Sequence, residues 1–548
     1  MPRLADHRVE FGVFLAIFAF VTIMGFVAAR WRRPDKPQDL EEWGLGGRAF
    51  GNWVTWFLLG GDAYTAYTFV AVPALVYAVG AGGFFAVPFA VITYPIMYPL
   101  VSRLWSVAHR HGFVTPAEFV RARFGSRALG LAVALSGIAA TMPYIALQLI
   151  GLEAVLKIMG ITGNWPLTVA FVVLALYTFR SGLRAPALIS IVKDVLIMWT
   201  VLAALLAIAM STGGWGGILR VAEAHYKATP SPVDGLLLSG PGQVSYLTLV
   251  LGSSLGLFLY PHLQTGVLAA RNRGVVKRNI AALPLYTLVL GLVALLGFAA
   301  LANGIVPVGG DRNTIIPALF DDLFPDWCAG LAFAAIGIGA LVPAAIMSIA
   351  AANLFTRSVY REFIRPHASA KEETQVSKLV SLAVKLGAVL VIVLVNPQFS
   401  IDLQLIGGVV ILQILPALAI GLYSAWLHRW ALLAGLAGGL VTGLVMLYTI
   451  PQLGADGRTV VRAHFGGSAW SLAHLGLHTN VAVYAGLVAL AVNLVIAVGG
   501  TVVLRFLEVP AGVDRTAPAD YTVDEGDGVV RMAELVDGAA QHRPAHVR

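Results

Sequence analysis

The sequence is dominated by long apolar runs, each of which is long enough to cross a lipid bilayer as a helix. About 20 apolar residues span the hydrocarbon core, and in lipid only helices and closed barrels satisfy all their backbone hydrogen bonds. Thirteen runs occur, at 11–30, 53–79, 83–105, 127–158, 163–179, 186–211, 243–269, 279–303, 327–354, 376–396, 400–426, 428–450 and 480–506. They predict an all-α, polytopic membrane protein with about 13 transmembrane helices.

Composition supports this class and argues against others. The chain has 548 residues, of which 58% are hydrophobic and only 12% are charged, so it is too apolar for a soluble protein. Its single cysteine, Cys328, excludes an internal disulfide and a CxxC redox motif. In a membrane protein the positions of Lys and Arg matter more than the net charge of +8, which therefore does not indicate a nucleic-acid partner. We expect a lipid bilayer around the chain and no cofactor.

The distribution of basic residues predicts the topology. If the N-terminus lies outside, the Lys- and Arg-rich connections face the cytoplasm, at 30–48, 103–127, 180–184, 271–278 and 357–378. Fewer basic residues occur in the opposite loops, at 212–240, 304–326 and 451–478. The positive-inside rule therefore favours an outside N-terminus, a retained first span and a cytoplasmic C-terminus.

The second predicted span has a carboxylate near its middle. Within the run 53–77, Asp62 lies near mid-depth and directly follows Gly60 and Gly61. A charge at the bilayer centre costs roughly 2.5–3.5 kcal/mol even on a lenient scale, and adjacent glycines weaken a helix. The pattern predicts a membrane helix that is broken at these residues and lines a polar cavity, where Asp62 serves transport, caps the next half-helix, or both. Candidate substrate-binding hydroxyls follow the break, at Tyr64, Thr65, Tyr67 and Thr68.

A second interrupted run lies five spans later, at 249–270, and contains Ser253, Ser254 and Pro261-His262. Interrupted spans at matching positions indicate an inverted repeat, here five plus five spans from the second to the eleventh. The serines are predicted to line the cavity or to permit a close helix crossing, and His262 to be structural. The predicted divisions are a first helix with its cytoplasmic linker, a transport core, C-terminal helices and a disordered tail, at 1–52, 53–426, 427–507 and 508–548.

Other polar residues within the spans have more than one interpretation. Tyr144 and Gln148 lie one turn apart on one helix and could line the same cavity. Lys193 and Asp194 lie at the cytoplasmic end of the sixth span, where gating and simple anchoring are equally consistent. No Lys or Arg is close in sequence to either break, so we expect free amides at half-helix N-termini to attract an anion.

Several motifs, in their order and on their sides of the thirteen spans, resemble the sodium:solute symporter family. They are Leu45-Gly46-Gly47-Arg48, Thr115-Pro116-Ala117-Glu118-Phe119 with Arg123-Phe124-Gly125, and Pro343-Ala344-Ala345-Ile346-Met347-Ser348. The resemblance covers nearly the whole chain. The runs at 60–68 and 348–357 look like the bacterial monocarboxylate permease branch. That branch implies a bacterial plasma membrane and the substrates lactate, pyruvate, acetate and propionate.

The resemblance also implies a fold similar to the leucine transporter and a bound sodium ion. Matched onto this chain, the ion ligands are the backbone carbonyls near Gly61 and Tyr64, the carbonyl of Ala345 and the hydroxyl of Ser348. Ile349 follows that serine where many members carry a second hydroxyl, so one oxygen of the site is missing. Burial disfavours a charged carboxylate, which gives Asp62 a second role as carrier of a coupled proton. The coupling ion is therefore Na⁺ or H⁺.

Together these features predict a secondary active symporter that imports a small organic anion, a monocarboxylate, by alternating access. The alternative is a symporter for amino acids or other organic solutes with sodium. An ATP-driven pump would need a GxxxxGK[ST] loop, which is not found, and an enzyme would need paired catalytic groups at one depth. We predict no enzymatic activity and no obligatory protein partner.

Overall fold

The apolar runs form helices whose bounds follow the sequence pattern closely. The computed structural model describes residues 4–31, 39–163, 165–211, 214–228, 235–394, 399–453 and 459–529. The first ten α-helices are Arg8–Val27 (α1), Leu40–Leu45 (α2), Asn52–Ala63 (α3), Val72–Val79 (α4), Ala86–His111 (α5), Pro116–Phe124 (α6), Arg127–Ile158 (α7), Trp165–Ser181 (α8), Arg184–Ser211 (α9) and Gly214–Ala228 (α10).

The second half continues in the same way. Its α-helices are Gly240–Gly256 (α11), Pro261–Leu268 (α12), Arg273–Ala282 (α13), Pro284–Ala302 (α14), Ile315–Leu323 (α15), Asp326–Phe355 (α16), Ala370–Leu394 (α17), Ile401–Ile411 (α18), Arg429–Tyr448 (α19) and Ala485–Phe506 (α20). Short 3₁₀ or π-helical turns occur at Ala28–Arg30, Gly46–Arg48, Tyr67–Ala71, Gly80–Phe85, Leu257–Leu259, Val308–Gly310, Arg312–Thr314, Thr356–Ile364, Leu412–Ile414, Pro416–Ile420, Leu472–Leu475 and Pro518–Tyr521.

Two small antiparallel ribbons lie in the loop between α19 and α20. One pairs Gln452–Leu453 (β1) with Val460–Arg462 (β2), and the other pairs Ala469–Ser471 (β3) with Ala482–Tyr484 (β4). Both are too short to alter the fold class.

The membrane prediction is confirmed. In the part of the chain that the structure describes, ten helical stretches have the length and apolar character needed to cross a membrane. Two shorter apolar helices, Trp165–Ser181 and Ile401–Ile414, correspond to two further predicted spans. The continuous stretch Tyr67–His111 contains both the end of the second predicted span and the whole of the third.

Helix α16 forms the centre of the bundle. Every residue of α16 from Ala332 to Leu354 is buried, and the helix packs against α1, α7, α9, α12 and α17. Glycines make this packing possible: a Cβ atom at Gly330 would lie 2.7 Å from the carbonyl oxygen of Glu10 on α1. Small residues at helix contacts let backbones approach closely, as is usual in membranes.

The two broken helices meet, as an inverted repeat predicts. Phe50, just before α3, exchanges backbone hydrogen bonds with the chain just after α12: its N–H donates to the Ala269 carbonyl at 3.2 Å, and Arg271 N–H donates to the Phe50 carbonyl at 2.9 Å. The beginning of one broken helix is thereby fixed to the end of the other.

The first break lies later than the sequence predicts. Helix α3 continues through Gly60, Gly61 and Asp62, and the chain leaves it at Tyr64, whose backbone angles are φ −97° and ψ 88°. The glycines therefore do not break the helix. They permit close packing, since a Cβ atom at Gly60 would lie 2.2 Å from the ring of Tyr286 on α14.

The start of the tail also differs from the prediction of a disordered segment. Residues 508–529 lie against the ends of α5 and α6 and the start of α13, and Tyr521 is only 2% exposed. Polar pairs hold this segment: His111 with Asp520 at 2.8 Å, Arg123 with Asp514 at 2.6 Å, and Arg271 with Glu525 at 2.6 Å. The rest of the predicted tail, 530–548, lies outside the described residues.

We expect the Asp520→Ala substitution to release this segment. The Asp520 carboxylate is buried, contacts His111 and accepts the backbone N–H of Ala517 at 2.7 Å, and loss of such contacts costs about 1–3 kcal/mol. Trypsin cleavage after the exposed Arg515 in detergent-solubilised protein should become about tenfold faster or more. Asp527→Ala, which removes an exposed carboxylate from the same segment, is the control. Equal cleavage rates in both variants would contradict the docking.

Candidate functional site

A narrow cavity lies where the two broken helices meet. Its volume is about 40 Å³, so it holds only a few water-sized molecules. Apolar walls come from side chains such as Leu59, Phe89 and Leu257. Its polar and aromatic lining consists of Asp62, Tyr64, Tyr67, Tyr94, Tyr144, His262, Tyr286, Thr287 and Gln404. A mostly apolar cavity with a few convergent polar groups is typical of a small-molecule site.

Asp62 and His262 bring the two breaks together. Asp62 lies in the last turn of α3 and His262 in the first turn of α12, and Oδ2 of the aspartate is 3.4 Å from Nε2 of the histidine. The imidazole also packs edge-on against Tyr144, with ring centroids 5.4 Å apart. The histidine that the sequence suggested was structural therefore lines the cavity.

Asp62 does not cap the half-helix that follows the break. The N–H of Ala66 donates to Gln148 Oε1 at 3.0 Å, and the N–H of Tyr67 donates to Thr65 Oγ1 at 3.0 Å. These two side chains satisfy the free amides at the start of the second half-helix. The Asp62 carboxylate consequently remains directed toward the cavity.

Several cavity-lining polar atoms have no hydrogen-bond partner among the residues that the structure describes. They are Asp62 Oδ1, Tyr67 OH, His262 Nδ1, Thr287 Oγ1 and Gln404 Oε1. An unsatisfied buried polar group costs roughly 1–3 kcal/mol, so such groups are few in most proteins. Their concentration around one cavity is the chemistry expected where a polar ligand binds.

The structure divides the predicted substrate-binding set. Tyr64, Tyr67 and Tyr144 line the cavity, whereas Thr65 and Gln148 cap the half-helix beside it. The remaining predicted residues are buried but do not line it. These are Thr68, which is fully buried beyond the break, Ser253, and Ser254, whose hydroxyl donates to the carbonyls of Phe89 and Val250.

The predicted ion ligands on α3 already bind a side chain. The ammonium group of Lys193 on α9 donates to the carbonyls of Gly61 and Tyr64, the latter at 2.8 Å, and lies 3.1 Å from Asp194 Oδ1. Lys193 is fully buried. Its position in the sequence predicted the cytoplasmic end of the sixth span, but a charged pair within a long apolar run itself indicates a functional group.

The predicted ligands on α16 lie in a different cluster. Ser348 Oγ donates to the Ala345 carbonyl at 2.8 Å and accepts a hydrogen bond from Ser381 Oγ at 3.2 Å. A Cβ atom at Gly339 would lie 3.9 Å from the Tyr64 carbonyl oxygen, so that carbonyl faces α16 nine residues before Ser348. At 1.5 Å per residue this is roughly 13 Å along the helix. The four predicted ligands therefore do not form one sodium site.

Tyr286 joins the cavity to the Lys193–Asp194 pair. Its hydroxyl donates to Asp194 Oδ2 at 3.0 Å, and its ring packs at a centroid distance of 4.8 Å from Tyr64. Tyr64 in turn donates its hydroxyl to the Tyr286 carbonyl at 3.0 Å. The cavity wall and the buried ion pair are thus parts of one connected network.

Comparisons with known proteins agree on one family. The model of the "Sodium:solute symporter family" matches residues 43–441. A "Monocarboxylate transport permease protein" of Rhizobium johnstonii is 48% identical over 486 residues, covering 89% of this chain and 95% of that protein. The "Uncharacterized symporter YodF" of Bacillus subtilis is 33% identical over 435 residues, covering 78% of this chain and 86% of that protein.

A solved structure has the same fold. It is a Na⁺-coupled sialic acid symporter in a substrate-bound outward-open state, with a TM-score of 0.67 and 15% identity, and the match covers 92% of this chain and 98% of that chain. At this identity the likeness supports the architecture and not the substrate.

We expect the Gly60→Ala substitution to disrupt the network around Tyr286. The added methyl group would lie 2.2 Å from the Tyr286 ring, so the ring must move away from Asp194. Overpacking of this kind costs about 1–3 kcal/mol, which should lower the thermal unfolding midpoint of the purified protein in detergent. Gly12→Ala is the matched control, because no atom lies within 4 Å of its added Cβ. A Gly60→Ala midpoint as high as that of the control would contradict this packing.

Proposed function

Because the chain belongs to the sodium:solute symporter family, we propose that it imports small monocarboxylates such as lactate, pyruvate, acetate and propionate. The membership confirms the resemblance seen in the motifs and makes the chain a membrane-embedded symporter of a small solute, not an enzyme. The observation that carries the substrate proposal is the relative named a monocarboxylate permease, which is 48% identical over 95% of its own length.

The chemistry of the cavity supports a short organic anion. The hydroxyls of Tyr67 and Thr287 have no partner among the described residues and can donate to a carboxylate. Apolar side chains beside them suit a short carbon chain. The volume of about 40 Å³ favours a small substrate.

Positive potential near the cavity has a source that the sequence did not reveal. No Lys or Arg is close in sequence to either break, so the sequence predicts positive potential from helix N-termini alone. In the fold, Lys193 on α9 places its ammonium group at the end of α3. Asp194 lies beside it and offsets part of this charge, so the ammonium acts together with the N-terminus of α12, which has no side-chain cap.

The proposed mechanism is alternating access. Broken helices let one bundle rock against the rest while the site stays near the midplane. The contact between Asp62 and His262 and the backbone pairing of Phe50 with 269–271 join the two broken helices. We therefore expect α3 and α12 to move as one body, within a transport core over 53–426.

The proposal includes the cell membrane and its orientation. We place the chain in the plasma membrane of a bacterium, with its N-terminus outside and its C-terminus in the cytoplasm. Its partners are the small anion and the lipid bilayer, and neither nucleic acid nor an obligatory protein partner is proposed. Family membership supports Na⁺ as the coupling ion, and H⁺ is the alternative.

One observation favours a second candidate, an amino-acid symporter. Asp62 Oδ1 faces the cavity without a partner among the described residues, and a carboxylate in that position can bind a substrate ammonium group. Lactate and alanine separate the two candidates well, because they differ only in carrying a hydroxyl or an ammonium group.

The test is uptake of labelled lactate, pyruvate and alanine into proteoliposomes, with sodium and proton gradients imposed separately. We expect lactate and pyruvate to accumulate more than alanine. Accumulation of alanine alone, abolished by Asp62→Asn, would establish the amino-acid alternative. No accumulation of any monocarboxylate under either gradient would refute the proposal.

A hydroxyl deletion tests the cavity itself. Tyr67→Phe removes an unpartnered hydroxyl, so protein stability should change little, but the KM for lactate should rise about 10- to 100-fold through loss of a hydrogen bond to a charged group. Tyr77→Phe is the control, since that hydroxyl donates to the Ile305 carbonyl at 2.9 Å outside the cavity lining. Equal KM values in both variants would remove Tyr67 from the substrate site.

A further inference from the structure

The ammonium group of Lys193 is held by two hydrogen bonds and one ion pair. It has three N–H donors, and three oxygens surround it: the carbonyls of Gly61 and Tyr64 and Oδ1 of Asp194. Lys193 is 0% exposed and Asp194 2% exposed, so the pair is shielded from bulk solvent. A buried charge is tolerated only when it is paired and hydrogen-bonded in this way.

These oxygens are the kind that a small hard cation needs. Carbonyls freed where a membrane helix unwinds coordinate Na⁺ in transporters, and carboxylates are common ligands of hard cations. Gly61 and Tyr64 lie on either side of the end of α3, and the lone pairs that would face an ion face Lys193 instead. The residues of the predicted site therefore do not fit a sodium ion while the lysine is present.

We propose that Lys193 is a resident cation: its ammonium group permanently takes the place predicted for a coupling sodium ion at Gly61 and Tyr64. A sodium ion sharing these oxygens would lie beside a like charge. At about 4 Å and an effective dielectric constant of about 20, that repulsion lowers affinity by roughly a thousandfold. This inference concerns the ion site and holds whichever solute is transported.

The other half of the predicted site supports the same conclusion. Ser348 and Ala345 hydrogen-bond to each other, and Ser381 links Ser348 to a second buried lysine, Lys385, whose ammonium lies 3.1 Å from Ser381 Oγ. The serine that would complete the sodium site thus lies far from the Tyr64 carbonyl along α16 and has polar partners of its own. Ile349, directly after it, adds no oxygen.

A tethered cation differs from a bound ion in one respect: it cannot cross the membrane and leave. Gly61 and Tyr64 therefore do not contribute a transported sodium ion. Any sodium that this chain moves must bind to other oxygens. Removal of the lysine side chain should expose two carbonyls and the Asp194 carboxylate, and so create a sodium site that the native chain lacks.

The experiment is direct binding of ²²Na⁺ to purified protein, measured for the native chain, Lys193→Ala and Lys385→Ala. We expect Lys193→Ala to bind one more equivalent of ²²Na⁺ than the native chain, and ammonium chloride to compete for it because NH₄⁺ replaces the lost group. Lys385→Ala is the matched control: it also loses a buried lysine, but the partners left behind are hydroxyls of Ser381 and Thr178. It should bind ²²Na⁺ as the native chain does.

Two results would overturn the proposal: a folded Lys193→Ala protein that binds no more ²²Na⁺ than the native chain, or one that loses native binding. If Lys193→Ala does not fold, ²²Na⁺ binding is measured with Ser348→Ala instead, because this substitution removes only one hydroxyl. We expect its ²²Na⁺ affinity to equal that of the native chain. A tenfold or greater loss would show that the inherited sodium site operates. Because binding is measured without substrate, failure here leaves the monocarboxylate proposal intact.

Discussion

The ammonium group of Lys193 is the interaction on which the centre of the molecule depends. A membrane helix that ends in the middle of the bilayer exposes carbonyls that lipid cannot satisfy. Lys193 satisfies two of them, at Gly61 and Tyr64, and Asp194 balances its charge. Tyr286 then joins the aspartate to the cavity wall. The break in α3 can persist because α9 supplies this partner, and the cavity exists because the break persists.

Much of the fold could be predicted from the sequence because its signals are local. Apolar runs define membrane spans directly, and interrupted runs five spans apart indicated the inverted repeat. Asp62 was identified because a carboxylate within an apolar run is costly in a bilayer and is therefore usually functional. Tyr64, Tyr67 and Tyr144 lie at the cavity because the first two follow the break directly and the third lies on a long helix beside it.

What the sequence missed depends on contacts between distant segments. The sequence predicts that Gly60 breaks the helix. In the fold, its missing side chain leaves room for the ring of Tyr286, which lies 226 residues later in the chain. Ser253 and Ser254 lie in the second interrupted span yet do not line the cavity, and the Ser254 hydroxyl instead donates to the Phe89 carbonyl on α5. The position of Lys193 within its span gave no information about its partners.

The docked tail has a mechanical consequence. Its pairs reach Arg123 on α6, between the third and fourth spans, and Arg271 before α13, between the seventh and eighth. The two connections belong to opposite halves of the inverted repeat, so the docked segment 508–529 forms a strap between the halves. Any motion that separates the two halves at this face must first extend the segment 508–529 or break its contacts with one of the halves. Because its outer ion pairs are exposed, dissolved salt screens them, and ionic strength thereby sets the stiffness of that face.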